Sequence, residues 1–153
     1  MDYILAIGFI SLAILFIFFR RKKQVRVLNE VNNSLLLTAL KLKGYYEVRS
    51  KTFIGKHKNY QTGFYFQEDP RDALTAYATI DCDIPFMKAK GGLKKITDFS
   101  KTYDSFGFLI DSKNGFRKQL SIDFILKSNG QDIFKIFDEM VLVAEREGFQ
   151  PTN

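Results

Sequence analysis

Residues 3–19 (YILAIGFISLAILFIFF) form an uncharged and almost wholly apolar run, and Arg20-Arg21-Lys22-Lys23 follows at once, with Arg26 close behind. Twelve of those seventeen positions are Ile, Leu or Phe. On an insertion scale they contribute roughly −4 to −7 kcal/mol in sum. A helix of that length rises about 25 Å, the short end for a ~30 Å hydrocarbon core, and flanking arginines can snorkel to lengthen it. The run therefore predicts a transmembrane helix over 3–19 with a membrane-interface collar of Arg20, Arg21, Lys22, Lys23 and Arg26. A cleaved signal peptide carries its charge before the apolar run and small residues after it, and here the order is reversed. A buried core helix needs a polar face, which the run lacks.

Charge sets the expected orientation. Positive-inside logic places the collar and all that follows in the cytoplasm, with residues 1–2 as a short external tail on the inner membrane. The collar also accounts for most of the net charge of +6. Without residues 1–26 the chain holds 18 basic and 16 acidic side chains, so no nucleic-acid partner is implied. Anionic lipid headgroups suit the collar, at about 1 kcal/mol per basic side chain. The lipid bilayer is thus the first expected partner.

After the collar, residues 20–32 read as a basic juxtamembrane linker, residues 33–149 as one cytoplasmic domain and residues 150–153 as a tail. A stripe of Leu28, Val31, Leu35, Ala39 and Leu42 predicts a helix over 28–43, starting either at Asn33 or as a continuation of the first helix. Strands follow over 45–54, 60–67 and 74–82, with a polar turn over 55–59 and a Pro-punctuated loop over 68–72. Gly91-Gly92 opens a short helix to about Thr102, with Leu93, Ile96, Phe99 and Tyr103 apolar. Two further strands, 106–110 and 116–126, are joined by a turn containing Asn114-Gly115. Asn129 is placed to cap a last helix over 131–147, and Gly148-Phe149 suits a Schellman stop. The fold class expected is α+β: a small domain of about five antiparallel strands and three helices.

This order of helix, three strands, helix, two strands, helix resembles the secretion-chaperone-like α+β fold, most closely over residues 93–148. The resemblance rests on topology and covers most of residues 28–149. It implies binding of extended partner segments, and it admits a homodimer.

Chemistry-bearing residues are sparse. Asp81 and Asp83 share a strand face, which could hold a cation or do acid–base work, but no companion motif at metal spacing accompanies them. His57 is the only histidine and sits between two lysines in the expected turn, which rules out a two-histidine metal site. Cys82 is the only cysteine and reads as a small buried hydrophobe. Gly91-Gly92-Leu93-Lys94-Lys95 has a phosphate-turn look but lacks Walker spacing. No catalytic residue, metal or cofactor is expected. Phe64, Tyr65 and Phe66 in a row put at least one aromatic away from the core, and with Lys94 and Lys95 they are the candidate partner contacts. The function expected is a non-enzymatic, membrane-anchored protein that binds another protein as an assembly, secretion or envelope accessory factor. A membrane-tethered immunity protein that neutralises a toxin fits the same features, and an enzyme using Asp81, Asp83 and His57 fits them less well.

Overall fold

A computed structural model describes residues 2–49, 52–68, 74–88, 92–111 and 115–152, with side chains in the first helix described from Gly8 onward except at residue 24. The chain forms two compact units, residues 1–33 and 34–153.

The first unit is a single helix, α1 (Asp2–Asn32). The transmembrane expectation is corrected here: among the described residues no helix is long and apolar enough to cross a membrane. Residues 3–7 of the expected span lie outside the described side chains. The apolar stretch that is described, residues 8–19, rises only about 18 Å before Arg20. The chain stays helical through residues 20–32, to Asn32. Arg26 Nε donates to Glu30 Oε1 at 3.0 Å one turn along.

The second unit begins at Ser34, whose extended backbone and side-chain acceptance from the Leu37 amide start α2 (Leu35–Leu42). The stripe expected over 28–42 is therefore cut in two. Leu36, Leu37 and Leu40 are the buried positions of α2, while Leu35 and Leu42 are exposed. A meander of four strands follows: β1 (Tyr46–Arg49), β2 (Thr52–His57), β3 (Tyr60–Glu68) and β4 (Leu74–Asp83). The expected strand over 45–54 is thus two strands, and the turn expected over 55–59 shrinks to Lys58-Asn59. Lys58 takes φ 53° to close it. Most of the loop expected over 68–72 lies outside the described residues.

A 3₁₀ turn (Pro85–Lys88) leads to α3 (Gly92–Thr102), and a second 3₁₀ turn to β5 (Phe108–Asp111) and β6 (Gly115–Leu120). Instead of a strand to 126, Ser121 accepts from the Phe124 amide at 3.1 Å and starts α4 (Ile122–Lys127). The last helix, α5 (Asp132–Arg146), stops as expected. Gly148 at φ 71° donates to the Glu145 carbonyl, and Phe149 donates to that of Ala144. Residues 150–151, expected as tail, form β7 (Gln150–Pro151), antiparallel to Cys82 and Asp83 of β4.

Among the described residues the sheet has seven strands in the order β1-β2-β3-β4-β6-β5, with β7 added on β4, and every pairing is antiparallel. With five α-helices the fold is α+β. The first meander has one strand more than the chaperone-like order. Alternation divides the sheet. Phe53, Phe64, Ala76, Ala78, Ile80 and Phe116 are buried on the face against which α5 and α4 lie. Ala76 and Ala78 are small, so α5 approaches β4 closely with Ile133, Phe137, Met140, Val141 and Ala144, all fully buried. Phe149, 2 % exposed, packs near Phe86, Phe99 and Phe116.

Candidate functional site

The opposite face of the sheet is open, and its cross-strand register builds a groove. One row of neighbours runs Ile54, Gly63, Thr79, Arg117, Leu109. The row on one side is Thr52, Tyr65, Tyr77, Gln119, and the row on the other is Lys56, Gln61, Asp81, Gly115, Asp111. Gly63 leaves the middle of this face without a side chain. A Cβ there would stand 2.6 Å from Thr79 Oγ1 and 3.3 Å from the Phe53 carbonyl oxygen. The result is a groove of about 430 Å³ over β2, β3 and β4, reaching Asp111 at its far end.

The surroundings of the groove differ along its length. The Tyr65 ring, which lines it, stacks at 5.2 Å on Tyr77, which lies outside the lining. The Arg117 guanidinium lies 4.6 Å from the Tyr77 centroid, and its Nη1 donates to the Tyr65 hydroxyl at 2.9 Å. Arg117 Nε is buried without a hydrogen-bond partner. At the other end the Gln61 side-chain amide donates to Asp81 Oδ2 at 2.8 Å. Burial pushes the Asp81 carboxyl above its ordinary value. The bond from Gln61 opposes the shift and the nearby charge of Asp111 adds to it. Among the described residues the groove lining contains Asp81 and Asp111 but no Lys, Arg or His, and the charge of Asp111 acts on Arg117 beside it.

The candidates from sequence fall in several places. Phe64 is fully buried and meets Phe66 edge-on at 4.9 Å, so both belong to the helix side of the sheet. Tyr65 is the aromatic that turns away from the core. Lys94 and Lys95 are exposed on α3. Lys95 lines a separate hollow of about 310 Å³ with Asp98, Phe99, Tyr103 and Glu147, where the Tyr103 hydroxyl donates to Glu147 at 2.5 Å. Leu93, expected on the apolar stripe of α3, is 82 % exposed. In α1, Arg21, Lys22, Lys23 and Arg26 are exposed and Arg20 is half-buried.

The three chemistry-bearing types do not converge. Cys82 is buried, and burial pushes its thiol up to about 12, with Asp81 and Asp83 adding to the shift. His57 ends β2 on the helix side, not in a free turn. Its ring lies beside Phe134 and Phe137, with Nε2 3.0 Å from Asp138 Oδ1. Lys58 Nζ reaches the same oxygen at 2.9 Å, and the two bonds hold the Asp138 carboxyl below its ordinary value. Asp81 stands on the other face. Among the described residues no group of three or more His, Cys, Asp and Glu side chains is placed to hold a metal ion.

No family model, curated protein or solved structure matches the chain. The groove itself was invisible residue by residue, since it depends on the register of five strands. Its one local signal is Gly63 inside an aromatic-rich strand, a position that marks close backbone approach or missing volume.

Proposed function

We propose that this chain is a non-enzymatic binding protein that receives a segment of a partner protein on the open sheet face, next to an anionic lipid surface in the cytoplasm. The observation that carries the reading is the groove beside Gly63, lined on the open face by Thr52, Ile54, Gln61, Tyr65, Thr79 and Asp81, on a face that no hydrophobic core requires to be so shaped. The placement of His57 and Cys82 supports the non-enzymatic part: the His57 ring is tied to Asp138 beside Phe134 and Phe137, away from the open face, and the Cys82 thiol is buried.

The lipid part rests on α1. Phe9, Ile10, Leu12, Ile14, Leu15, Phe16, Ile17, Phe18 and Phe19 are each more than half exposed, and they lie on all sides of the helix. An apolar surface of that extent is an interaction surface. The adjoining cations suit anionic headgroups.

A photocrosslinking residue at Thr52 or Gln119, on the open face, should yield a specific adduct in membrane extracts. The same residue at Lys135, on α5, should not. Equal or greater adduct formation at Lys135 would overturn the assignment of the face. Vesicle flotation tests the lipid part: recovery that is the same with neutral and with anionic vesicles would remove the headgroup contribution.

A further inference from the structure

We propose that the outer face of α3 is a second lipid contact, made by the domain itself: Leu93 enters the interface of an anionic bilayer, and Lys94 and Lys101 reach its headgroups. This goes beyond the reading above, which rests its lipid part on α1 alone. The helical period builds the face. Gly92 and Phe99 are buried, and Ile96 and Ser100 are half-buried. Steps of four put Leu93, Thr97 and Lys101 in one row on the exposed side, and Lys94 stands next to that row, seven positions before Lys101. Lys95 and Asp98 turn to the other flank, where they line the hollow with Tyr103 and Glu147. Leu93 is left 82 % exposed on a helix whose other side is packed.

Charge complementarity selects the occupant. Among the described residues no ion pair engages Lys94 or Lys101. Residues 88–91, which precede the helix, hold two further lysines and no carboxylate. A leucine flanked by lysines suits a bilayer interface: the lysine methylenes lie along the apolar boundary and the ammonium groups stay among the phosphates. A protein interface has the opposite preference, since its centre is poor in lysine and is held by aromatic or arginine anchors. The row from Leu93 to Lys101 has neither anchor. Leu142 gives the contrast within the same domain. It is 60 % exposed on α5, and the residues one turn away are Asp138, Glu139, Glu145 and Arg146. Three carboxylates against one cation keep that leucine off an anionic surface.

The test uses the full chain with one introduced indole, since the sequence has no Trp of its own. Thr97→Trp leaves Leu93, Lys94 and Lys101 in place, and Leu142→Trp is the control. Each is mixed with vesicles of phosphatidylcholine, alone or with phosphatidylglycerol, with and without bromine on the acyl chains. On anionic vesicles the emission of Thr97→Trp should shift to shorter wavelength and be quenched by the brominated lipid, and that of Leu142→Trp should do neither. Adding K94Q/K101Q to Thr97→Trp should lower the ratio of docked to undocked face about thirtyfold, the loss expected of two interfacial cations. Raising the salt concentration should weaken the signal without any change to the lysines. Equal quenching at the two positions, equal quenching on neutral vesicles, or an indole at position 97 that leaves water only when an acidic protein is added would each overturn the proposal. Flotation keeps the two readings apart. A chain that floats while the indole at position 97 stays in water keeps the α1 contact and loses that of α3, whereas a chain that does not float loses both.

Discussion

The Tyr45 hydroxyl and Thr62 Oγ1 lie 2.5 Å apart, and the two residues are 4 % and 1 % exposed. Burial pushes the Tyr45 phenol up to about 12, against the opposing bond to Thr62. The Tyr45 ring also stacks on Phe137 at 5.7 Å and 3°, and it fills the space over Gly55, where a Cβ would stand 2.6 Å from the ring. Tyr45→Phe keeps the ring and its stacking and removes the hydroxyl alone, so the Thr62 hydroxyl is stranded. Stranding a buried hydroxyl costs about 1–3 kcal/mol, and Thr62→Val strands the phenol at a similar cost. The double variant strands neither and should sit within about 1 kcal/mol of the wild type. The coupling between the two sites, the two single costs less that of the double, is therefore about 1–6 kcal/mol, well above the few tenths expected of unrelated positions. Urea unfolding of the full chain by far-ultraviolet circular dichroism reads it, since the sequence has no Trp to follow. At a slope near 2 kcal/mol per molar, each single variant should lower the midpoint by about 0.5–1.5 M and the double should recover most of it. A double variant as unstable as the sum of the singles would refute the pairing.

Three further outcomes follow from the same geometry. Cys82 and Tyr45 hold their protons more tightly folded than unfolded, with values near 12 against ordinary ones of 9.0 and 10.0. The unfolded state therefore binds fewer protons above pH 9, and stability should fall as pH rises from 9 toward 12. Cys82→Ala should flatten the fall between pH 9 and 10, as read from urea midpoints at stepped pH. Asp138 has the opposite sign: its lowered value stabilises the fold above the ordinary carboxylate range, and that contribution is lost as pH falls through the folded value. Asp138→Asn should flatten the acid limb of the same curve. Gly148→Ala should cost about 1–2 kcal/mol in thermal or urea unfolding, from its φ of 71° alone. Gly130→Ala should cost roughly 3 kcal/mol or more, because its Cβ would also stand 2.7 Å from the Leu35 carbonyl oxygen.

What the sequence made legible was local. The strand Leu74–Asp83 alternates over its whole length, and its buried positions Ala76, Ala78, Ile80 and Cys82 are those of one face. The stop at Gly148-Phe149 is equally local, because its two hydrogen bonds join residues three and five apart. Residues 116–126 misled for a physical reason: their apolar positions satisfy two periods at once. Leu120, Ile122, Phe124 and Leu126 alternate, yet Ile122 and Ile125 are also three apart, and a Ser stands just before them. The cap decides it, because the Ser121 side chain satisfies the Phe124 amide and turns the chain helical, which buries Ile125.

The groove was harder to read for a different reason. Alternation alone says that Tyr65 faces away from Phe64 and Phe66, and it does. It cannot say what stands beside Tyr65, because that depends on pairing with residues far along the chain. Phe53 and Thr79, which would meet a Cβ at Gly63, come from strands on either side of β3, and Asp111 reaches the groove through two further strands. A register slip of one residue would turn every one of these side chains to the other face. The packed helix face forbids that slip, since it would expose Phe53, Phe64 and Phe116 together. The core against α5 therefore fixes the position of Asp81 opposite Gln61 and of Arg117 opposite Thr79, although none of these four belongs to the core.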